Sequence, residues 1–330
     1  HLKFWFLMGV PSAFPHSKRM LLHQYARHFA NIPHFRSRKV KGKCKDFKPQ
    51  FRMWDFSQNR QGGYYFNEIL EDKPKVSVIV RTCGRPAVLR ETLVSLRNQT
   101  YPNMEVVVVE DGPDVSGKMI KEEFSDLNIV YFATGEKVGR SKAGNLAMEK
   151  AEGKYLNFLD DDDLFFADHV EVLSAQLIKG ENRAAYSFAF ETPIEVHSKE
   201  PYEYTVRQYR EVHKHGFDKV VLCHHNYIPI QSIMFEKSLF EDYGGLDENL
   251  DALEDWDLWV RYSLHTDFTC VNKTTSIYRV PHNRKINAER QKALDEALLV
   301  VRNKHKGYIQ TVSVYDIAMM YERRNSFLSR

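Results

Sequence analysis

Tyr155-Leu156-Asn157-Phe158-Leu159-Asp160-Asp161-Asp162-Asp163 is an apolar run that ends in four consecutive carboxylates. The apolar part reads as a buried strand, and so dense a negative charge on its lip needs a cation. Carboxylates this close raise one another's pKa and repel unless a hard divalent ion such as Mg2+ or Mn2+ takes them as oxygen ligands. Such an ion usually brings phosphate with it. Alone, the run would read as an acidic turn capping a helix that starts near Asp168; its surroundings reverse that reading.

Working outward, the chain alternates. Gly62-Gly63 and Pro74 punctuate the sequence before Lys75-Val76-Ser77-Val78-Ile79-Val80, a β-branched run that reads as a buried parallel strand. Pro86 suits the first position of a helix carrying Leu89, Leu93 and Leu96 at helical spacing, and Glu105-Val106-Val107-Val108-Val109 supplies a second strand. A third strand over residues 127–132, a helix over 142–152 stopped by Gly153 and a fourth strand over 154–159 continue the pattern. The expected fold class is therefore α/β, a Rossmann-like, mostly parallel sheet flanked by helices. In such sheets ligands bind beyond the carboxyl ends of the strands. The residues there are Arg81-Thr82-Cys83-Gly84-Arg85, Glu110-Asp111-Gly112 and the Asp160 to Asp163 cluster. Asp and Gly after one strand are ordinary turn chemistry; three such loops converging on one edge make a pocket.

Several ordered blocks together resemble the inverting family 2 glycosyltransferases, whose GT-A type fold binds a nucleotide sugar across the carboxyl edge of a parallel sheet. They are residues 75–113, then Gly139-Arg140, Ala143-Gly144-Asn145, Ala151-Glu152-Gly153 and the run into Asp160 to Asp163, then Gly244-Gly245-Leu246-Asp247-Glu248 and Leu253-Glu254-Asp255-Trp256-Asp257-Leu258-Trp259. The resemblance covers roughly residues 75–285. It implies a hexosyl transfer with inversion. Asp111 would meet the nucleobase, and Asp160-x-Asp162 would form the metal and diphosphate site, with Asp162 the direct Mn2+ or Mg2+ ligand and His282 a further contact. Arg81, Thr82, Arg85, Arg140, Asp160 and Asp161 would lie on the donor side, with Lys142 able to reach a phosphate. Asp255 would be the general base, with Glu254 and Trp256 facing the acceptor. A divalent ion there neutralises charge on the departing diphosphate, and a positioned carboxylate contributes about 10²–10⁴-fold. Without the upstream blocks, Asp255 would read as a first-turn carboxylate favoured by the helix dipole, because Leu253, Trp256, Val260 and Leu264 are amphipathically spaced.

Departures from the family pattern bear on the donor. Cys83 stands where many relatives carry an aromatic ring that stacks on the base, and Gly144 where many carry Arg. Arg81 and Arg85 are the candidates to compensate. The clusters His213-Lys214-His215 and His224-His225 lack the Cys or carboxylate that would complete a tetrahedral metal set, so they read as a loop on the acceptor side.

The four cysteines, Cys44, Cys83, Cys223 and Cys270, form no Cys-x-x-Cys pair and fit a reducing, cytoplasmic setting. The run over residues 4–10 is far shorter than the ~20 apolar residues that span a bilayer. The chain opens on His1 rather than Met, which fits a trimmed or partial polypeptide. Charge is unevenly placed: residues 1–60 hold 13 Lys/Arg and 2 Asp/Glu, a net of +11, which leaves 34 basic and 42 acidic residues, a net of −8, for residues 61–330. With Phe4, Trp5, Phe6, Phe14, Tyr25, Phe29 and Phe35, and an amphipathic helix expected over 18–30, this basic segment suits an anionic membrane surface at the inner face better than nucleic acid; equally, it could wrap the acidic body.

The organisation expected is a basic aromatic extension over 1–72, a catalytic domain over 73–285 and a helical segment over 286–330. The reaction expected is metal-dependent transfer of a sugar from a nucleotide-sugar donor to a hydroxyl of a glycan or lipid-linked glycan, in bacterial surface polysaccharide assembly. A sugar-phosphate nucleotidylyltransferase would want a Gly-rich loop after the first strand, which has one Gly here. A non-catalytic nucleotide- or glycan-binding module would not need Asp111, Asp160, Asp162 and Asp255 intact. A dinucleotide-binding Gly-x-Gly-x-x-Gly is missing.

Overall fold

The computed structural model describes residues 73–309, with positions 311, 313–315 and 318 beyond them. The helix expected over 18–30 and the rest of the basic segment lie outside the described residues. The chain divides into two compact units between Lys75 and Val76, and the fold below belongs to the second.

Its frame is four parallel strands, β1 (Val76–Thr82), β2 (Met104–Glu110), β3 (Ile129–Ala133) and β4 (Tyr155–Phe158). β1 is central, with β2 and β4 as parallel neighbours and β3 outside β2. Because the four run the same way, their carboxyl ends deliver residues 81–85, 110–112, 134–139 and 159–163 to one edge of the sheet. The strands are apolar on both faces because both faces are covered. Ile79 packs into one core with Ala143, Ala147 and Trp259, whereas Val78 and Val80 pack into the other with Leu89, Leu93 and Leu173.

The helices between these strands start and stop for local reasons. α1 (Pro86–Arg97) opens on proline, which needs no N–H there, and buries Leu89, Leu93 and Leu96. α2 (Gly117–Glu123), which periodicity did not disclose, links β2 to β3. α3 (Arg140–Lys150) begins two residues earlier than expected, after Gly139, whose φ of +94° is a conformation L side chains rarely adopt. It also ends before Gly153, which is not its stop. Gly153 lies flat against β1, where a Cβ would come 2.5 Å from the Ser77 nitrogen.

The second half of the sheet is mixed. After the short β5 (Leu164–Phe165) and α4 (His169–Lys179), the long β6 (Ala184–Lys199) turns back through β7 (Tyr202–Val206). α5 (Lys219–His224) precedes β8 (Ile233–Glu236), which pairs antiparallel with both β4 and β6. α6 (Lys237–Tyr243) and α7 (Glu254–Ser263) then lead to β9 (Phe268–Pro281), which runs parallel to β6, and to α8 (Arg284–His305). Among the described residues the order across the sheet is β3-β2-β1-β4-β8-β6-β9-β5, with β7 off β6. Trp256, Trp259 and Tyr262 of α7 are fully buried, and Val301 of α8 is buried in the same core. No helix among the described residues is long and apolar enough to cross a membrane.

Candidate active site

Arg81, the next-to-last residue of β1, organises the edge. Its Nε and Nη2 donate to Asp160 Oδ1 and Oδ2 at 2.7 and 2.9 Å, and its Nη1 donates to Glu254 Oε1 at 3.0 Å. One guanidinium thus joins the carboxylate cluster after β4 to the start of α7, with Arg81 itself 173 residues from Glu254 in sequence. Burial alone would pull this guanidinium down, but Asp160 and Glu254 more than reverse that, so it stays charged. Gly144 makes room for it: a Cβ there would meet Leu246 at 2.8 Å and the Arg81 stem at 3.4 Å.

The four carboxylates have different surroundings. Burial pushes Asp160 up, yet the bidentate Arg81 outweighs it and holds the carboxyl below its usual value. Asp161 is fully buried, accepts from Thr82 Oγ1 at 2.7 Å and pairs with Arg85, and desolvation pushes it up to about 7 with Asp162 adding repulsion. Asp163 is held well above its usual value by burial and by Asp162 and Asp160, although the Arg279 backbone N–H donates to it at 3.1 Å. Asp162 differs: its side chain, 36% exposed, is the most exposed of the four, and among the described residues its ion-pair contact is Arg85 at 3.3 Å. This suits a hard divalent cation, which takes one or two protein carboxylates and completes its shell with phosphate oxygens and water.

His282 is exposed just past the end of β9, and its backbone N–H donates to the Ile194 carbonyl at 2.8 Å. Among the described residues no three His, Cys, Asp or Glu side chains converge to hold a metal.

Asp111 follows β2 and is buried, accepting the backbone N–H groups of Val138 at 2.6 Å and Gly139 at 3.2 Å. It thereby fastens the loop that starts α3 against the strand edge. Arg140 opens α3, exposed and 3.9 Å from Glu254; Lys142 is also exposed.

Asp255 enters α7 through Leu253, the one non-glycine among the described residues with a positive φ, at +60°. Its Oδ1 accepts its neighbour Trp256's N–H at 2.8 Å and its Oδ2 accepts Asn226 Nδ2 at 2.9 Å. Desolvation, with Glu254 adding repulsion, pushes Asp255 up to about 7, and Asn226 and Arg81 hold it from rising further. A carboxylate poised near neutrality is suited to general base work. Its two neighbours do not face an acceptor as expected. Glu254 is buried on Arg81, and Trp256 is fully buried, its Nε1 donating to the Leu222 carbonyl at 2.6 Å and its ring 5.5 Å from His305. Successive residues on a helix point about 100° apart, so a tryptophan beside an outward Asp255 turns into the core.

Asn226 was not singled out from sequence, although it lies between the His224-His225 pair and Tyr227, in the loop placed on the acceptor side. Its Oδ1 accepts the Ile228 N–H at 3.1 Å, which fixes which end of the amide meets Asp255. His215, His224, His225 and Tyr227 gather around it, with ring centroids 4.8 Å apart for His215–Tyr227 and 5.6 Å for His224–His225.

A parallel sheet with its polar residues gathered beyond the strand ends and an acidic cluster after β4 make up a GT-A type fold. The chain belongs to the glycosyl transferase family 2, whose model matches residues 77–243. It is 32% identical over 222 residues to an uncharacterised glycosyltransferase of Rickettsia bellii, covering 64% of this chain and 30% of that protein. It is 37% identical over 107 residues to the glycosyltransferase GlyA of Streptococcus pneumoniae, covering 32% of this chain and 15% of that one. The chain thus spans less than a third of the length of either relative. Among solved structures it resembles S. aureus TarS in complex with UDP, with a TM-score of 0.52 and 22% identity over 68% of this chain and 65% of that one. It also resembles a Pyrobaculum calidifontis mannosyltransferase in complex with GDP-Man and Mn2+, with a TM-score of 0.54 and 19% identity over 73% and 66%. These two likenesses concern the fold.

Proposed function

We propose that this chain is a metal-dependent inverting glycosyltransferase that moves a sugar from a nucleotide-sugar donor to a hydroxyl of a glycan or lipid-linked glycan. The observation that carries the reading is Arg81, bonded at once to Asp160 and Glu254. It brings the acidic cluster and the base-bearing turn of α7 to one place. The nucleotide would lie along the ends of β1 and β2 beside Asp111, and the diphosphate beside Asp160, Asp162 and Arg85. The neighbours bound to UDP and to GDP-Man support a donor of that class, and the Mn2+ of the second supports the metal. Asp162 would hold a divalent cation, which when bound neutralises charge on the departing diphosphate.

The remaining work falls to the chain's own side chains. Asp255 accepts the acceptor hydroxyl's proton as that oxygen bonds to the anomeric carbon, and the carbon–oxygen bond to the diphosphate breaks with its electron pair leaving on the phosphate. Attack opposite the leaving group inverts the anomeric centre. Asn226 holds the carboxylate on the attacking side, and Arg81 and Arg85 place positive charge beside the diphosphate without leaving the acidic cluster unbalanced. Attachment of residues 1–60 to an anionic membrane surface, and a place in bacterial surface polysaccharide assembly, belong to the same proposal; the support is the net +11 of that segment.

The test is donor hydrolysis and transfer across a panel of nucleotide sugars, with and without a chelator, and with the product anomer assigned by NMR. Loss of turnover in chelator, recovery with Mn2+ or Mg2+ and an inverted product are the expected results. Full activity in chelator removes the metal from the mechanism, and a retained configuration removes in-line displacement.

A further inference from the structure

A cavity of about 390 Å³ opens beside α5, α7 and α8, outside the donor edge. Arg302, Lys306, His224 and His305 line it over an apolar floor that includes Val260 and Leu264, and none of its lining side chains is acidic. Arg302 spends one of its five N–H groups on the His224 carbonyl at 3.0 Å, and Lys306 donates to Asn303 Oδ1 at 2.9 Å. Both cations therefore keep donors for a ligand. His305 donates to Asp257 Oδ1 at 3.1 Å, and Asp257 is itself taken up by Arg261 and Lys304, so it does not cancel the other cations.

The cavity is close to the base. His224 on its wall is two residues from Asn226, whose amide holds Asp255, and two residues span at most about 7 Å. Val260 on its floor lies five residues along α7 from Asp255, about 7.5 Å of helix rise. A guanidinium and an ammonium at one end match the oxygens of a phosphate, and an apolar floor matches the carbon face of a sugar or polyol unit.

We propose that this cavity is a phosphate subsite on the acceptor side, so that the acceptor carries phosphate groups and one unit is held here while another presents its hydroxyl to Asp255. The assignment rests on the reading of Asp255 as the base facing the acceptor. A free phosphate monoester and a lipid headgroup share the chemistry, and the vesicle arm of the test below tells them apart.

Glycerol 1-phosphate is the probe: titrated into the full chain, it should move the imidazole NMR signals of His224 and His305 to saturation, while uncharged glycerol leaves them in place. The double variant Arg302→Gln/Lys306→Gln should weaken that binding by about tenfold or more, and Lys306→Gln, at an exposed position, should show part of the loss. Donor hydrolysis should be unchanged in both variants, since neither residue belongs to the donor site or the base. Unmoved signals, or binding indifferent to both substitutions, overturn the subsite. Signals that respond to phosphatidylglycerol vesicles but not to glycerol 1-phosphate overturn it in favour of a lipid surface. If wild-type donor hydrolysis is absent while glycerol 1-phosphate still binds, the transferase reading fails and the phosphate site stands without its acceptor role.

Discussion

Asp255 and Asp257 sit two residues apart on α7, and their surroundings drive them in opposite directions. Asp255 is desolvated beside Glu254 and is pushed up to about 7. Asp257 is fully buried, but His305 at 3.1 Å, Arg261 at 2.9 Å and Lys304 at 2.9 Å surround it and bring it down to about 2. The first is poised to take a proton near neutrality, and the second holds its charge to clamp α8 against α7. The helix therefore carries a working face and an anchoring face, and what separates them is the company each carboxylate keeps.

The largest expected effect isolates the working face. Asp255→Asn should lower kcat by about 10²–10⁴-fold while calorimetric donor affinity changes little; unchanged turnover would assign the base elsewhere. Asp257→Asn should do the converse, costing about 3 kcal/mol in chemical denaturation because Arg261, Lys304 and His305 lose the buried carboxylate they share, with kcat per folded molecule nearly intact. Replacing Asn226 by Ala removes the amide that favours the charged form of Asp255, so the rising limb of kcat/KM against pH, expected near 7 in the parent, should move up by about one unit. The smallest effect is Lys304→Met, whose partly exposed pair with Asp257 should cost about 1 kcal/mol and lower Tm by a few degrees.

Acid and base should also separate the two faces. Asp255 and Asp161 have raised values, so their contribution to stability is complete below the ordinary carboxylate range and is lost as pH rises through about 7. Asp257 has a lowered value, so its contribution is complete above that range and is lost as pH falls toward about 2. Denaturation midpoints measured from pH 3 to 9 should show both slopes in the parent, with the alkaline slope reduced in Asp255→Asn and the acid slope reduced in Asp257→Asn.

The parallel half of the sheet was legible because its signals are local. β-branched runs such as Val76 to Val80, the proline that opens α1 and the acidic residues after β2 and β4 all declare themselves within a few positions. The mixed half was not, since β6 and β9 pair across more than eighty residues and neither has a clean two-residue alternation. The same limit applies to the site. Asp160 and Asp255 could be named from motif order, but the bond from Arg81 to Glu254 and the bonds from Lys304 and His305 to Asp257 join segments whose meeting no local pattern encodes. Trp256 was placed with the acceptor because it neighbours Asp255 in sequence; the helical turn sends it inward.

Leu253 has a further consequence. A leucine in the left-handed region costs about 1–2 kcal/mol, and that cost sits at the entry to the turn bearing Glu254 and Asp255. Fraying of that turn recovers it while the nine strands stay paired, so heat should silence the enzyme at a lower temperature than it melts the sheet.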